Sequence, residues 1–264
     1  MRVASLGMYD MPEIQDANDA LWSGLATWLR RNGLDGVPDR LDRGRPLDQI
    51  WDDPNLLLAQ TCGLPFATRW KGRLRYVATP CYTAPGCKGP LYRSVIVVGR
   101  ESPAQSLSDL RGTVAAVNET SSNSGYELLR RAVAPLSPGA PFFAAAVVTG
   151  SHRESVSAVA KGNAAVAAID VVTFAHLGRH CPDLVARVRD IGWTDLSPGL
   201  PFVTAGNASR RLIDLLERSL AWATHSAELS SARETLLLHA TSVLPLDVYS
   251  VIGDRDGGKL SDLL

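Results

Sequence analysis

Two short polar segments carry the side chains best suited to hold an anion. The first, residues 119–125, reads Glu-Thr-Ser-Ser-Asn-Ser-Gly, and the second, residues 149–152, reads Thr-Gly-Ser-His. Each follows an apolar run of strand type and precedes a helical run, which predicts a strand–loop–helix junction. Such a junction offers free backbone N–H groups, hydroxyl donors and the positive end of a helix dipole. Together these features suit an oxyanion such as phosphate, phosphonate or sulfonate.

Both segments also fit a purely structural role. Ser124 with Glu127, and Ser151 with Glu154, match the S-x-x-E capping box, in which two side chains satisfy unpaired N–H groups at a helix start. Capping boxes occur at many helix starts that bind nothing, and His152 has an equally ordinary explanation as a polar cap. Both interpretations stay open at this point.

A carboxylate stands at the end of another apolar run. Asp170 follows Ala-Ala-Val-Ala-Ala-Ile at 164–169. A carboxylate at the edge of a buried strand needs a partner. One explanation is a solvated helix cap, and the other is recognition of an amine or a protonated oxygen on a ligand.

Metal chemistry has one candidate. His176 and His180 stand four residues apart with Cys181 next to the second, so one helix face could present them to a metal ion. The sequence around them lacks a further ligand and the H-E-x-x-H arrangement of a catalytic zinc helix. We therefore predict no metal site.

A cysteine–histidine nucleophile is the other catalytic arrangement that the residue types allow. Cys62 or Cys81 could serve it together with His152, but buried cysteine is common and the sequence does not place these residues together. The chain also lacks G-x-G-x-x-G and the Walker phosphate loop. We therefore predict no catalytic residues and no cofactor.

Composition favours a globular protein with no nucleic-acid or membrane partner. Of the 264 residues 45% are hydrophobic, and Lys+Arg 27 balance Asp+Glu 27. A net charge of zero argues against a protein that coats DNA, RNA or an anionic membrane. The first residues lack the pattern of a signal peptide, which predicts a cytoplasmic location, or a periplasmic one if a leader is missing.

Short strand-type runs alternate with helical runs along the whole chain. The strongest strand prediction is 92–99 (YRSVIVVG), which is rich in β-branched residues. Further strands are predicted at 2–8, 55–60, 74–79, 113–118, 142–148, 164–169, 184–191 and 200–205, and helices at 16–31, 106–111, 126–134, 154–161, 171–177, 209–225 and 228–239. This alternation is typical of an α/β fold, in which ligands bind beyond the carboxyl ends of parallel strands.

Four segments together carry a family resemblance. They are S-L-S-D-L-R-G at 106–112, S-S-N-S-G-Y at 121–126, T-G-S-H-x-x-S-V-x-A-V-A-x-G at 149–162 and A-A-I-D-x-V-T-F at 167–174. In these segments the chain resembles the phosphate/phosphonate family of ABC-transporter solute-binding proteins. The resemblance implies a type II periplasmic-binding-protein fold. Such a fold is α/β and two-lobed, with mixed, mostly parallel sheets and a ligand cleft between the lobes.

The strand order under this resemblance predicts the domain division. The strand at 92–99 would lead away from the first lobe, and the strand at 200–205 would lead back to it. Lobe one would then contain residues 1–92 and 200–264. Lobe two would contain residues 93–199 and carry both oxyanion loops.

The resemblance also implies ligand-binding residues in lobe two. They are Ser122, Asn123 and Ser124, which align with the family's Ser-Thr-Ser oxyanion loop, together with Ser151 and His152 at the second helix start and Asp170 at the other end of the ligand. Two departures stand out. Asn123 occupies the position where threonine is usual, and Ala165 replaces the aspartate of the family's G-x-A-D segment.

Residues of lobe one are expected to wall the pocket. The best candidates follow the first three strands. They are Tyr9 after the first, Gln60 and Thr61 at the end of the second, and Tyr82 after the third.

The expected function is reversible binding of a small oxyanion: phosphate, phosphonate or a phosphate ester. An ABC-transporter permease is the further partner that the resemblance implies, and we expect a monomer or a weak dimer. The alternative is an enzyme on the same bilobal scaffold that acts on a small anionic metabolite. An enzyme needs a base or nucleophile within hydrogen-bond reach of its substrate, whereas a binding protein needs only donors.

Overall fold

The computed structural model describes residues 2–253, which divide into two compact units. The first unit contains residues 2–83 and 198–251, and the second contains residues 84–197 and 252–253. The chain therefore passes from the first unit to the second after Thr83 and returns after Ser197. The expected place of residues 254–264 in lobe one lies outside the described residues.

Strands and helices alternate through both units. The strands are β1 (Val3–Ser5), β2 (Leu56–Gln60), β3 (Leu74–Tyr82), β4 (Leu91–Tyr92), β5 (Ser94–Gly99), β6 (Val114–Val117), β7 (Ala145–Val148), β8 (Val166–Asp170), β9 (Val188–Trp193), β10 (Ser197–Pro198), β11 (Phe202–Ala205) and β12 (Leu238–Ser242). The α-helices are α1 (Gln15–Arg31), α2 (Leu47–Trp51), α3 (Gly63–Ala67), α4 (Leu128–Val133), α5 (His152–Ala160), α6 (Val171–His180), α7 (Pro182–Val185), α8 (Arg210–His225), α9 (Ser230–Thr235) and α10 (Asp247–Gly253). No helix among these residues is both long and apolar enough to cross a membrane.

The first unit is built on a five-stranded sheet in the order β1-β2-β11-β3-β12. Strands β1 and β2 are parallel, and β11 lies antiparallel between β2 and β3. Helices α1 and α8 cover this sheet because each buries an apolar stripe, in which Leu25, Leu29 and Leu216 are fully enclosed. The carboxyl ends of β1 and β2 lead directly to Tyr9 and Thr61.

The second unit contains a sheet in the order β7-β6-β8-β5-β9. Strands β6, β7 and β8 are mutually parallel, while β5 runs antiparallel to both β8 and β9. Residues 95–98 of β5 form an unbroken buried run, as expected of a central strand covered on both faces. The carboxyl ends of the three parallel strands, at Val117, Val148 and Asp170, meet at one edge of the sheet.

Two parts of the expected secondary structure are wrong. The helix predicted at 228–239 ends with α9, because Leu237 adopts a φ of 59° and the chain then forms β12 along β3. The strand predicted at 184–191 begins as the short helix α7, and β9 follows at Val188. Pairing with a neighbouring strand overrides local periodicity in both places.

Candidate functional site

A π-helical turn follows β6 and contains residues predicted to bind an anion. It spans Asn123–Glu127, and the Glu127 N–H donates to the Ser122 carbonyl oxygen over 3.1 Å. Ser122 caps the turn, since its Oγ accepts from the Gly125 N–H at 3.0 Å. π-Turns are rare and occur often at functional sites. All five residues of the turn are buried.

The capping box expected at Ser124 is therefore wrong. The helix start lies two residues earlier, at Ser122, and the Glu127 carboxylate points to arginines of the next turn. It accepts from Arg130 Nε at 2.9 Å and from Arg131 Nε at 2.7 Å. The Ser124 hydroxyl is thus left for another contact.

Ser124 reaches the start of α5. Its Oγ lies 2.9 Å from Nε2 of His152, and 3.4 Å from the Oγ of Ser122. Ser151 caps α5 as predicted, because its Oγ accepts from the Glu154 N–H at 3.1 Å. The two loops after β6 and β7 are therefore joined into one hydroxyl–imidazole row: Ser122, Ser124 and His152.

The imidazole of His152 is neutral at pH 7. Burial lowers its pKa from 6.5 to about 4. The side chain is half-buried as a whole, but its Nδ1 atom is enclosed and has no hydrogen-bond partner among residues 2–253. Burial without a nearby carboxylate disfavours the imidazolium ion. One ring nitrogen therefore carries a hydrogen and the other accepts one.

Residue 125 must be a glycine, because the side chains of Asn118 and His152 leave no room for a Cβ atom there. A Cβ atom at this position would lie 1.8 Å from Oδ1 of Asn118 and 3.1 Å from Cε1 of His152. Asn118 Oδ1 is itself buried without a hydrogen-bond partner in the described chain. Asn118 was not predicted as a site residue, and only its position directly after β6 could have suggested it.

Asn123 turns its side chain into the unit. Its Nδ2 donates to Tyr92 Oη at 3.0 Å and to Ser197 Oγ at 2.9 Å, which uses both amide hydrogens. Ser94 holds the same turn by donating to the Ser124 carbonyl oxygen at 2.9 Å. Asparagine in place of the family's threonine thus anchors the loop.

Asp170 caps α6 from the end of β8. Its Oδ1 accepts from the N–H groups of Val172 at 2.8 Å and Thr173 at 3.2 Å. The residue is 1% exposed, so the cap is buried and not solvated as the simpler explanation supposed. Two N–H groups at the start of α6 are thus satisfied by a buried side chain at the sheet edge.

The first unit brings three of its four predicted residues together. The rings of Tyr9 and Tyr82 meet edge to face with centroids 5.3 Å apart. Gln60 Nε2 donates to Tyr82 Oη at 3.1 Å and to the Leu200 carbonyl oxygen at 3.1 Å. The three line a cavity of about 20 Å³. Thr61 is fully buried and does not line it.

The two histidines of α6, which were the candidate metal ligands, are not among the predicted ligand-binding residues. The rings of His176 and His180 stack with centroids 6.3 Å apart, and His176 is buried. Within the described part of the chain, no three His, Cys, Asp or Glu side chains are grouped to hold a metal ion.

Comparison with known proteins gives the same family that the motifs indicate. A family model described as "ABC transporter, phosphonate, periplasmic substrate-binding protein" matches residues 59–240. No curated protein sequence matches the chain.

Several solved structures share the fold at low sequence identity. A binding protein component of an ABC phosphonate transporter from Pseudomonas aeruginosa has a TM-score of 0.76 and 15% identity, over 94% of this chain and 82% of that one. PhnD1 from Prochlorococcus marinus, in complex with methylphosphonate, has a TM-score of 0.70 and 13% identity, over 96% and 95%. A protein from Xanthomonas citri bound to ATP has a TM-score of 0.71 and 15% identity, over 96% of each chain.

These likenesses confirm the two-lobed periplasmic-binding-protein fold, with its mixed α/β sheets. The cytoplasmic location expected from the first residues is wrong, because the matching family is described as periplasmic. That expectation depended on the amino-terminal residues alone. Since the family model covers residues 59–240, more than half of the sequence, the chain belongs to the phosphonate periplasmic substrate-binding proteins of ABC transporters.

Proposed function

We propose that the second unit binds a phosphonate, or a phosphate-type oxyanion, through Ser122, Ser124 and His152. The observation that carries this proposal is the 2.9 Å contact between Ser124 Oγ and His152 Nε2. It joins the donors of two helix starts at the edge where β6 and β7 end. A bound oxyanion would accept from these hydroxyl groups and from the N–H groups at both helix starts.

Neutral donors are sufficient for this chemistry. With its pKa at about 4, His152 carries one ring hydrogen at pH 7. When Nε2–H donates to Ser124 Oγ, the Ser124 hydroxyl hydrogen is left for the anion. Each hydrogen bond to a charged oxygen contributes roughly 1.5–3 kcal/mol, and the helix dipoles add to it. An anion can therefore be held without an arginine or lysine in the row.

The same pair argues for binding without chemistry. A serine within hydrogen-bond reach of a histidine is the arrangement of an activated nucleophile. In such enzymes a third group orients the imidazole through its other nitrogen. Within residues 2–253, Nδ1 of His152 has no such partner, and a pKa of about 4 makes the imidazole a weak base. We therefore propose that the protein is not an enzyme.

The remaining predicted residues enter the proposal with narrower roles. Asp170, at the end of β8, would accept a hydrogen bond from an amine or a protonated oxygen of the ligand. Ser151 supports the site by capping α5. Tyr9, Gln60 and Tyr82 stay candidate ligand residues of the first unit. As in the family, the loaded protein would deliver its ligand to an ABC-transporter permease.

Calorimetric titration of the whole protein tests the proposal. Methylphosphonate, 2-aminoethylphosphonate, phosphate, a phosphate ester and methanesulfonate would each be titrated at pH 7. Saturable binding of at least one oxyanion is expected, with release of the unchanged ligand on dialysis. Absence of heat and of any thermal shift with all five would refute the binding role. Hydrolysis of the phosphate ester would refute the non-catalytic role.

A further inference from the structure

The first unit contains a polar cavity whose cations have no partners among the residues that the structure describes. It has a volume of about 600 Å³ and lies at the amino ends of β1 and β2. Its lining includes three arginines, Arg2, Arg211 and Arg218, and no aspartate or glutamate among the residues that the structure describes. Tyr9 follows β1 and Gln60 is the last residue of β2, so both lie at the opposite ends of these strands, and Gln60 is roughly 13 Å along β2 from the cavity.

Most other arginines of this unit have ion-pair or hydrogen-bond partners, whereas the arginines of the cavity have none among the described residues. Arg210, one residue before Arg211, forms ion pairs with Asp214 at 2.7 Å and with Glu217 at 3.7 Å. In contrast, neither Arg211 nor Arg218 has an ion pair or hydrogen bond from its guanidinium within the described chain, and the same is true of Arg2. Three like charges without a counterion repel one another.

Helix α8 directs two of these charges to one surface. Arg211 and Arg218 are seven residues apart, which places them on the same helix face. Arg2 joins them from the residue before β1. The start of α8 needs no ligand of its own, because Ser209 Oγ already accepts from the Leu212 N–H at 3.2 Å. The charge of the cavity therefore comes from the guanidinium groups.

We infer that this cavity binds an oligophosphate, such as pyrophosphate, triphosphate or the phosphate chain of a nucleotide. Guanidinium groups bind phosphate oxygens through paired N–H donors. Three of them match an anion with several charged groups better than a single phosphonate. The volume lies within the range of small-molecule sites, roughly 300–1,000 Å³. Asn55 also lines the cavity.

The test compares two variants of the full chain. Arg211→Gln/Arg218→Gln removes two cavity charges, and Arg210→Gln removes one charge from the same helix outside the cavity. Tripolyphosphate, ATP and orthophosphate are titrated into each at two salt concentrations, and methylphosphonate is titrated as a separate readout of the second unit. Thermal unfolding confirms that both variants fold.

Wild type and Arg210→Gln are expected to bind tripolyphosphate, and their affinity should be lower at high salt. The double variant is expected to bind it at least about tenfold more weakly than either of these proteins. Methylphosphonate affinity should be the same in all three proteins. Binding of ATP as well as tripolyphosphate would indicate that the phosphate chain is the recognised part, and tripolyphosphate alone that the nucleoside is excluded.

Three results would overturn the inference. The first is no saturable binding of tripolyphosphate or ATP by wild type. The second is an equal loss in Arg210→Gln, which would mean a diffuse charge effect. The third is full binding of tripolyphosphate in the double variant, which would place the oligophosphate outside this cavity.

Discussion

Ser124 Oγ and His152 Nε2 lie 2.9 Å apart, although the two residues are 28 positions apart in the sequence. The contact fixes a buried serine of the π-turn to the first residue of α5. Because β6 and β7 are parallel neighbours, their following loops must emerge at the same edge, and the side chains then meet. The sheet therefore positions the two donors relative to each other before any ligand is present.

Ser124→Ala should weaken both oxyanion binding and the fold. The change removes the hydroxyl group that we propose donates to the ligand, and it leaves His152 Nε2 without its partner. We expect affinity to fall roughly ten- to a hundredfold, corresponding to about 1.5–3 kcal/mol for one hydrogen bond to a charged group. Calorimetry with the best oxyanion and thermal unfolding would measure the two effects. Ser121→Ala, at an exposed serine of the same loop, is the matched control and should change neither.

Gly125→Ala should displace the π-turn. The new methyl group would meet Asn118 Oδ1 at 1.8 Å, so the turn or the asparagine must move, at a cost of about 1–3 kcal/mol. Chemical unfolding would give the loss of stability, and calorimetry the loss of affinity. Adding Asn118→Ala should restore part of both, because the obstructing oxygen is gone. Gly178→Ala in α6, where a Cβ meets nothing within 4 Å, serves as the control. Wild-type behaviour of the single variant would contradict the geometry.

Asp170→Asn separates capping from ligand recognition. Asparagine retains the Oδ1 acceptor for Val172 and Thr173 and is a good helix cap, so the protein should fold. Affinity for methylphosphonate should change little or rise, while affinity for 2-aminoethylphosphonate should fall at least about tenfold, since the amine loses a carboxylate. Parallel titrations of both ligands would measure this. Unchanged affinity for both would mean that Asp170 acts only as a cap.

Acid should destabilise the protein through its buried histidines. Burial, with smaller contributions from His180 and Arg179, lowers the pKa of His176 from 6.5 to about 4. Between these values the unfolded chain binds a proton that the folded chain does not, so stability is complete above about pH 6.5 and falls as the pH drops towards 4. The full effect of one such shift is about 3 kcal/mol.

Urea unfolding at pH 7, 6, 5 and 4.5 would measure the slope of the free energy of unfolding against pH. His176→Leu should lower the slope between pH 6.5 and 4, because one titrating group is gone. His239→Gln, at an exposed position on β12, should leave it unchanged. Equal slopes in wild type and His176→Leu would show that other groups cause the acid sensitivity.

Local patterns in the sequence located most of the central strands. The strand predicted at 92–99 contains β5, and the strand predicted at 164–169 contains all of β8 except Asp170, because buried strands need continuous apolar residues. The pattern could not reveal β12, where Leu237 reverses the chain and pairing with β3 decides the outcome. The short helix α7 was missed for a similar reason, since four residues leave no measurable periodicity.

Local sequence patterns also predicted only part of the candidate site. The hydroxyl-rich loops were visible because both follow apolar strands directly. The contacts that hold them were not, because Tyr92 and Ser197 lie 31 and 74 positions from Asn123. No local pattern connects residues so far apart. The sequence also did not show that the Glu127 carboxylate pairs with Arg130 and Arg131 instead of a backbone N–H group. The helix cap was therefore expected at Ser124 and not at Ser122.

The position of β11 affects how a growing chain can fold. Strands β2 and β3 do not pair with each other; each pairs with β11, which begins 142 positions after the end of β2. The first sheet therefore lacks its central strand until the ribosome has passed residue 205 and is complete only at residue 242, whereas the second sheet is complete at residue 193. Contacts so distant in sequence form slowly, and exposed strand edges favour aggregation in the meantime. The amino-terminal strands therefore remain partly unpaired during synthesis, at a stage when the middle of the chain can already fold.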